Sequence, residues 1–454
     1  MKLLPFCYAF LCDRIRNEKY CGYGDIMSRF EEQDFDEKRL ARRAKRKKSQ
    51  ITAFVILALF ILILAGGIFF AVYSIKSLLN IPGGSGNTEE VAAEASSEEV
   101  VIETPESVEP EAEEMSAEDI LDEVVDQCIE GMPIEDKVAG LFIVSPEQLT
   151  GVASAVKAGS GTQDALSKYA VGGIVYASKN IKDEGQITEM LSATATMSKY
   201  PLFTMLSDEG KKGGLTTSIS VEGITDVTDS DSAHTTAVAL GEKLSGCGFN
   251  LDIAPSIDLS ENGPYGTDKD TLGDIAASFA HGLTENGVGI CYNSFPLKTD
   301  TSAGLTAVDK SKDELAANEY EVFKNAIESG SPAAIMMSNA SFEKAAGDNT
   351  PASLSTVMID GELRNGLGYD GVIITGPLSE GSITEYYTSE EAAVNAIKAG
   401  ADMIYLPENF EEAYNGLLEA VNGGSIQESR IDESLRRIYR IKYADKAGAI
   451  KESD

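Results

Sequence analysis

Gly371-Val372-Ile373-Ile374-Thr375-Gly376-Pro377-Leu378 is a short apolar run that follows a turn and ends on a glycine and a proline. Continuous apolarity over so few residues, without alternation, fits a strand covered on both faces, as in a parallel sheet. Seven further runs of the same kind occur: GLFIVS (140–145), GGIVYA (172–177), PLFTML (201–206), FNLDIA (249–254), VGICYN (288–293), AAIMMS (333–338) and DMIYLP (402–407). Stretches of helical period lie between them, at 183–199, 232–246, 270–286, 311–329, 388–399 and 410–422, and a last one covers 426–443. Eight strands with helical crossovers predict a (β/α)8 TIM-like barrel over 119–450, while seven or nine would fit a doubly wound sheet. In a barrel the chemistry belongs at the C-terminal ends of the strands, which puts Gly376 and Pro377 at the rim.

The N-terminal quarter reads differently. Ile51 to Tyr73 carries no charge and is long enough to cross a bilayer as one helix. Eight Lys and Arg between 38 and 48 precede it, and none appears between Lys76 and Lys137. This asymmetry predicts a cytoplasmic N-terminus (1–50) and everything after the span outside. A cleaved signal peptide is the competing reading, but its apolar region and its leader would both be too long. Residues 1–26 are apolar, hold three cysteines and differ from the charged segment after Met27, so Met27 is the expected true start. Residues 81–118 open on IPGGSGN and continue with 12 Glu between 89 and 118, the composition of a disordered acidic linker.

Net charge is −35, yet residues 1–50 hold 13 Lys and Arg against 8 Asp and Glu, so the remainder is strongly acidic. Such a surface repels polyanions and excludes nucleic acid as a partner. The basic cluster before the span could engage anionic lipid, and a function residing in that segment alone is a third reading. The six cysteines have no CxxC spacing, which argues against a disulfide framework or a metal site. No phosphate-binding glycine loop, serine-hydrolase elbow or other cofactor signature is present. The only histidines, His234 and His281, fall in helical stretches. There is no Trp, and sugar rings would have to stack on some of the 17 Tyr.

Seven stretches in order resemble the N-terminal barrel of glycoside hydrolase family 3, in particular the single-barrel bacterial β-N-acetylhexosaminidases of cell-wall recycling. They are MPIEDKVAGLFIV (132–144), YAVGGIVYASKNI (169–181), PLFTMLSDEG (201–210), LSGCGFNLDIAPSIDL (244–259), PASLS (351–355), LRNGLGYDGVIIT (363–375) and AGADMIYLP (399–407). The resemblance implies a glycosidase scaffold in a bacterial cell envelope, and it also marks departures at the rim. The family's nucleophilic Asp falls at Gly376. Its sugar-gripping Asp after the third strand falls at Ser207, followed by Asp208 and Glu209. The family's Arg after the fourth strand is replaced in Asp270-Thr271-Leu272-Gly273. Its Lys-His pair on the fifth strand becomes Asn293-Ser294, before the retained Phe295-Pro296. The loop that supplies an Asp-x-His acid/base pair reads Thr301-Ser302-Ala303-Gly304-Leu305, and a sixth-strand His is Asn339.

Retaining hydrolysis needs a nucleophile and a proton donor about 5–5.5 Å apart when both are carboxyls. Both positions are empty of such groups here. The expectation is therefore a catalytically dead barrel that binds cell-wall glycan or an envelope protein. The alternative is an active hexosaminidase with a relocated nucleophile, Asp208 or Glu380. Further acids near strand ends are Asp252, Asp258 and Asp300; ligand-binding candidates are Asp208, Glu209, Lys179, Asn180, Asp258, Asn293 and Asn339.

Overall fold

The computed structural model describes residues 116–451, apart from 208–218, 220, 222–226, 261, 262 and 264. The expected span at 51–73, nearly all of the acidic linker, and both Asp208 and Glu209 lie outside the described residues. Among the described residues no helix is long and apolar enough to cross a membrane.

All eight predicted strands form: β1 (Phe142–Val144), β2 (Gly173–Tyr176), β3 (Phe203–Leu206), β4 (Leu251–Asp252), β5 (Gly289–Phe295), β6 (Ala334–Met337), β7 (Val372–Ile374) and β8 (Ile404–Tyr405). Each pairs in parallel with its sequence neighbour, β8 returns to β1, and a bridge between Ile374 and Met403 links β7 to β8. This ring is the (β/α)8 arrangement, and it disposes of the doubly wound alternative. Strand residues such as Ile143, Met205, Leu251 and Ile373 are fully enclosed, as both-face covering requires. The predicted helices also form, with one interruption. The 311–329 stretch breaks at Asn318, giving Lys312–Ala317 and Glu319–Gly330. Asn318 leaves helical geometry (φ −128°, ψ −84°) and its side-chain amide donates to the Glu314 carbonyl at 2.8 Å, closing the first piece.

Two devices brace the barrel's lower end, where the strands begin. The helix Ala117–Glu130, started by a Ser116–Asp119 capping box, packs along the closing helix Glu428–Lys451. Arg436–Asp126 and Arg440–Asp122 ion pairs join the two. Beneath β8, Asp402 is fully buried and gathers Arg364 (2.8 Å), Arg437 (3.0 Å), the Ser434 hydroxyl (2.7 Å) and the Ile373 amide (2.9 Å). Arg364 also donates to the Tyr369 and Gly371 carbonyls, so this one carboxylate ties β7, β8 and the closing helix together. A charge so buried is stable only with such compensation.

Candidate active site at the barrel mouth

The upper ends of β5, β6 and β7 converge on a small cavity of about 110 Å³. Asn293, Asn339 and Glu380 line it, together with Ser207, Ser294, Lys298, Thr301 and Pro377. Three of the sequence candidates are thus brought together. The others are not. Asn180 is fully buried, donating to Glu147 (2.7 Å) and to the Ala155 carbonyl (2.8 Å), while Lys179 pairs with Glu147 at 3.3 Å. This pair braces the loop after β2. Asp258 accepts from the amide and hydroxyl of Ser260 at 2.9 and 3.0 Å, a local turn. Asp300 does the same for Ser302, and these bonds hold its carboxyl below the usual range. Asp252 ends β4, fully buried below the mouth.

At the decisive position the geometry is specific. β7 carries Gly376 past its end, where the Gly376 amide donates to the Ser353 hydroxyl at 2.8 Å. Thr375, fully buried, accepts from the Tyr405 amide at 3.0 Å and so fixes β7 against β8. A Cβ built on Gly376 would stand 2.7 Å from Asn339 Oδ1, 2.8 Å from Cγ and 2.9 Å from Nδ2. The space that a side chain needs at the nucleophile position is occupied by Asn339, which is 3% exposed. Asn339 is itself held there. Its Nδ2 donates to the Pro377 carbonyl at 2.8 Å and to Glu380 Oε2 at 2.9 Å. The same Glu380 oxygen accepts from the Thr301 hydroxyl at 2.5 Å. Glu380 is therefore a cross-brace between the loops that follow β5, β6 and β7.

No proton donor of the histidine type faces this cavity. His234 meets Glu285 at 2.8 Å and His281 the Ser329 carbonyl at 2.7 Å, both between outer helices. Among the described residues no cluster of His, Cys, Asp and Glu could hold a metal. Cys291, buried within β5, is pushed up by burial and lies near Asp252, so it is no thiolate nucleophile. Sequence reading missed Ser353 as the anchor of the Gly376 amide, although PASLS was among the matched stretches. It also missed that Asn339 and Gly376 are one packing unit, because a substitution and its space-filling partner lie 37 positions apart in the chain.

The family model described as glycosyl hydrolase family 3 N terminal domain matches residues 134–441, and the chain belongs to that family. A β-hexosaminidase A of Pseudoalteromonas piscicida is 24% identical over 61% of this chain and 54% of its own length. The chain thus spans about half of that relative. A β-hexosaminidase of Neisseria meningitidis serogroup C is 24% identical over 52% of this chain and 71% of its own. Among solved structures, a family 3 β-N-acetylglucosaminidase from Paenibacillus matches with TM-score 0.62 and 27% identity, covering 70% of this chain and 64% of the other. A β-N-acetylhexosaminidase from Beutenbergia cavernae shares the fold at TM-score 0.59 and 22% identity, over 68% of this chain and 98% of its own. The barrel thus shares its family and its fold with proteins described as β-hexosaminidases.

Proposed function

We propose that the chain is a single-pass bacterial membrane protein with an outward-facing family 3 barrel that binds and does not hydrolyse. The observation that carries this is the filled nucleophile position: Gly376 offers no nucleophile, and Asn339 occupies the room one would need. The loss of the resembled His and Lys positions at Asn293, Ser294 and the 301–305 loop supports the same reading. So does the mouth cavity of about 110 Å³, well below the roughly 300 Å³ at which small-molecule sites begin. Among the described residues that leaves too little room for a whole pyranose bearing an acetamido group. The ligand then contacts the rim, and it is a cell-wall glycan or a protein of the envelope. The charge-free stretch 51–73 and its basic flank support the anchor.

An active hexosaminidase is the second reading, and the observation that favours it is the presence of Glu380 on the cavity wall. Its engagement by Thr301 and Asn339 weighs against it, because an attacking carboxylate must reach an anomeric carbon. Mechanism-based trapping separates the two. The intact protein is incubated with an activated 5-fluoro-N-acetylhexosaminide and weighed by mass spectrometry. An unchanged mass is expected; a gain of one glycosyl group on Glu380 would sink the non-hydrolytic reading.

A further inference from the structure

The opposite end of the barrel holds a second and larger cavity, of about 730 Å³, between the lower ends of β3 to β7 and the closing helix. Its size falls in the range of small-molecule sites, roughly 300–1,000 Å³. Leu121, Pro201, Ala333 and Ile441 give it accessible apolar surface. Three cations reach it, and two are already neutralised: Arg437 by Asp402 and Glu433, and Arg440 by Asp122. The third is Lys442. Its amine lies 4.7 Å from the Phe203 ring centre and 5.0 Å from that of Tyr439, and donates to the Gly172 carbonyl at 2.8 Å. Among the described residues it has no carboxylate partner. Among the described residues Asp370 is the one acid on the cavity lining, and it is exposed. Cys128 is the other ionisable group that acts on Lys442.

Lys442 is half-buried, and its amine, held against two aromatic faces without a counter-ion, costs free energy that a bound anion relieves. We infer that this basal cavity binds an amphipathic monoanion, a single carboxylate on an aliphatic chain, with the carboxylate on Lys442 Nζ and the chain along Leu121, Pro201, Ala333 and Ile441. One uncompensated cation selects one negative charge, and the walls select an apolar body. The inference is independent of what the barrel mouth does, since it uses no residue of that site.

Burial also lowers Lys442 to about 7, so the empty site is half charged near neutrality and an anion draws a proton onto it. This gives the test a signature. Decanoate is titrated calorimetrically into the full chain in maltoside micelles, with K442M in the same micelles supplying the partition background. Saturable one-to-one binding above that background is expected, weakening about tenfold from pH 6 to pH 8 as the amine loses its proton. Decanol, with no charge, is expected to show no such step. K442R keeps a permanent cation, so it is expected to bind decanoate with the pH step gone, which decides the matter even if K442M fails to fold. Identical isotherms for wild type and K442M overturn the proposal, as does a pH step in K442R equal to that of wild type.

Discussion

Alanine at position 376 tests whether the mouth is a packed structural unit. Its Cβ would lie 2.7–2.9 Å from three atoms of Asn339, where carbon contacts normally settle near 3.5–4.0 Å. Asn339 must swing away and give up both Nδ2 bonds, one to the Pro377 carbonyl and one to the Glu380 carboxylate. A neutral hydrogen bond contributes about 1 kcal/mol and one to a charged group about 1.5–3 kcal/mol. Replacing glycine returns about 0.4–1 kcal/mol by restricting the unfolded chain. The expected net cost of G376A is therefore about 2–3 kcal/mol, read as a lower urea midpoint at unchanged slope. In an N339A background the obstacle is gone, and the cost of the same change should fall below about 1 kcal/mol, a coupling typical of residues in contact. If G376A stays within about 0.5 kcal/mol of wild type, or costs the same with and without Asn339, the reasoning fails.

D402N leaves Arg364 and Arg437 beneath β8 without their buried carboxylate, and thermal unfolding should report a loss of about 3–5 kcal/mol. Lys442 gives a pH dependence with a definite sign. The unfolded chain keeps this proton into the ordinary lysine range while the fold releases it near 7, so its contribution to stability rises with pH from about 7 to about 10. K442M should accordingly gain most over wild type below pH 7, with the gain shrinking in urea midpoints taken at higher pH. Protease added to intact cells should digest the barrel and spare an N-terminal tag. A protected barrel would remove the outward orientation.

The fold was legible because parallel barrel strands are continuous apolar runs, and runs such as GVIITG and AAIMMS signal burial without help from neighbours. The break at Asn318 was not legible, since periodicity continues across it and the interruption is one backbone conformation. The helix 117–130 escaped notice because its acidic face merges with the acidic tract before it. Asp402 read only as the start of a strand; nothing local announces that arginines from positions 364 and 437 will converge on it. At the mouth, the residue types at 293, 339 and 376 were enough to raise the question of lost chemistry. That Asn339 fills the place of a missing side chain is a three-dimensional fact, and so is the enlistment of Glu380 as a brace. Lys179 and Asn180, read as ligand-binding candidates, instead brace a loop, because Glu147 and the Ala155 carbonyl, 25 or more positions away in the chain, close on them.

The central claim is that this barrel does not cleave glycosides, and turnover of an aryl β-N-acetylglucosaminide by the purified full chain tests it most directly. Release of aryl alcohol should equal the enzyme-free blank for wild type and E380Q alike. Release above the blank that E380Q abolishes would contradict the claim and identify Glu380 as the group that took over the missing nucleophile's work.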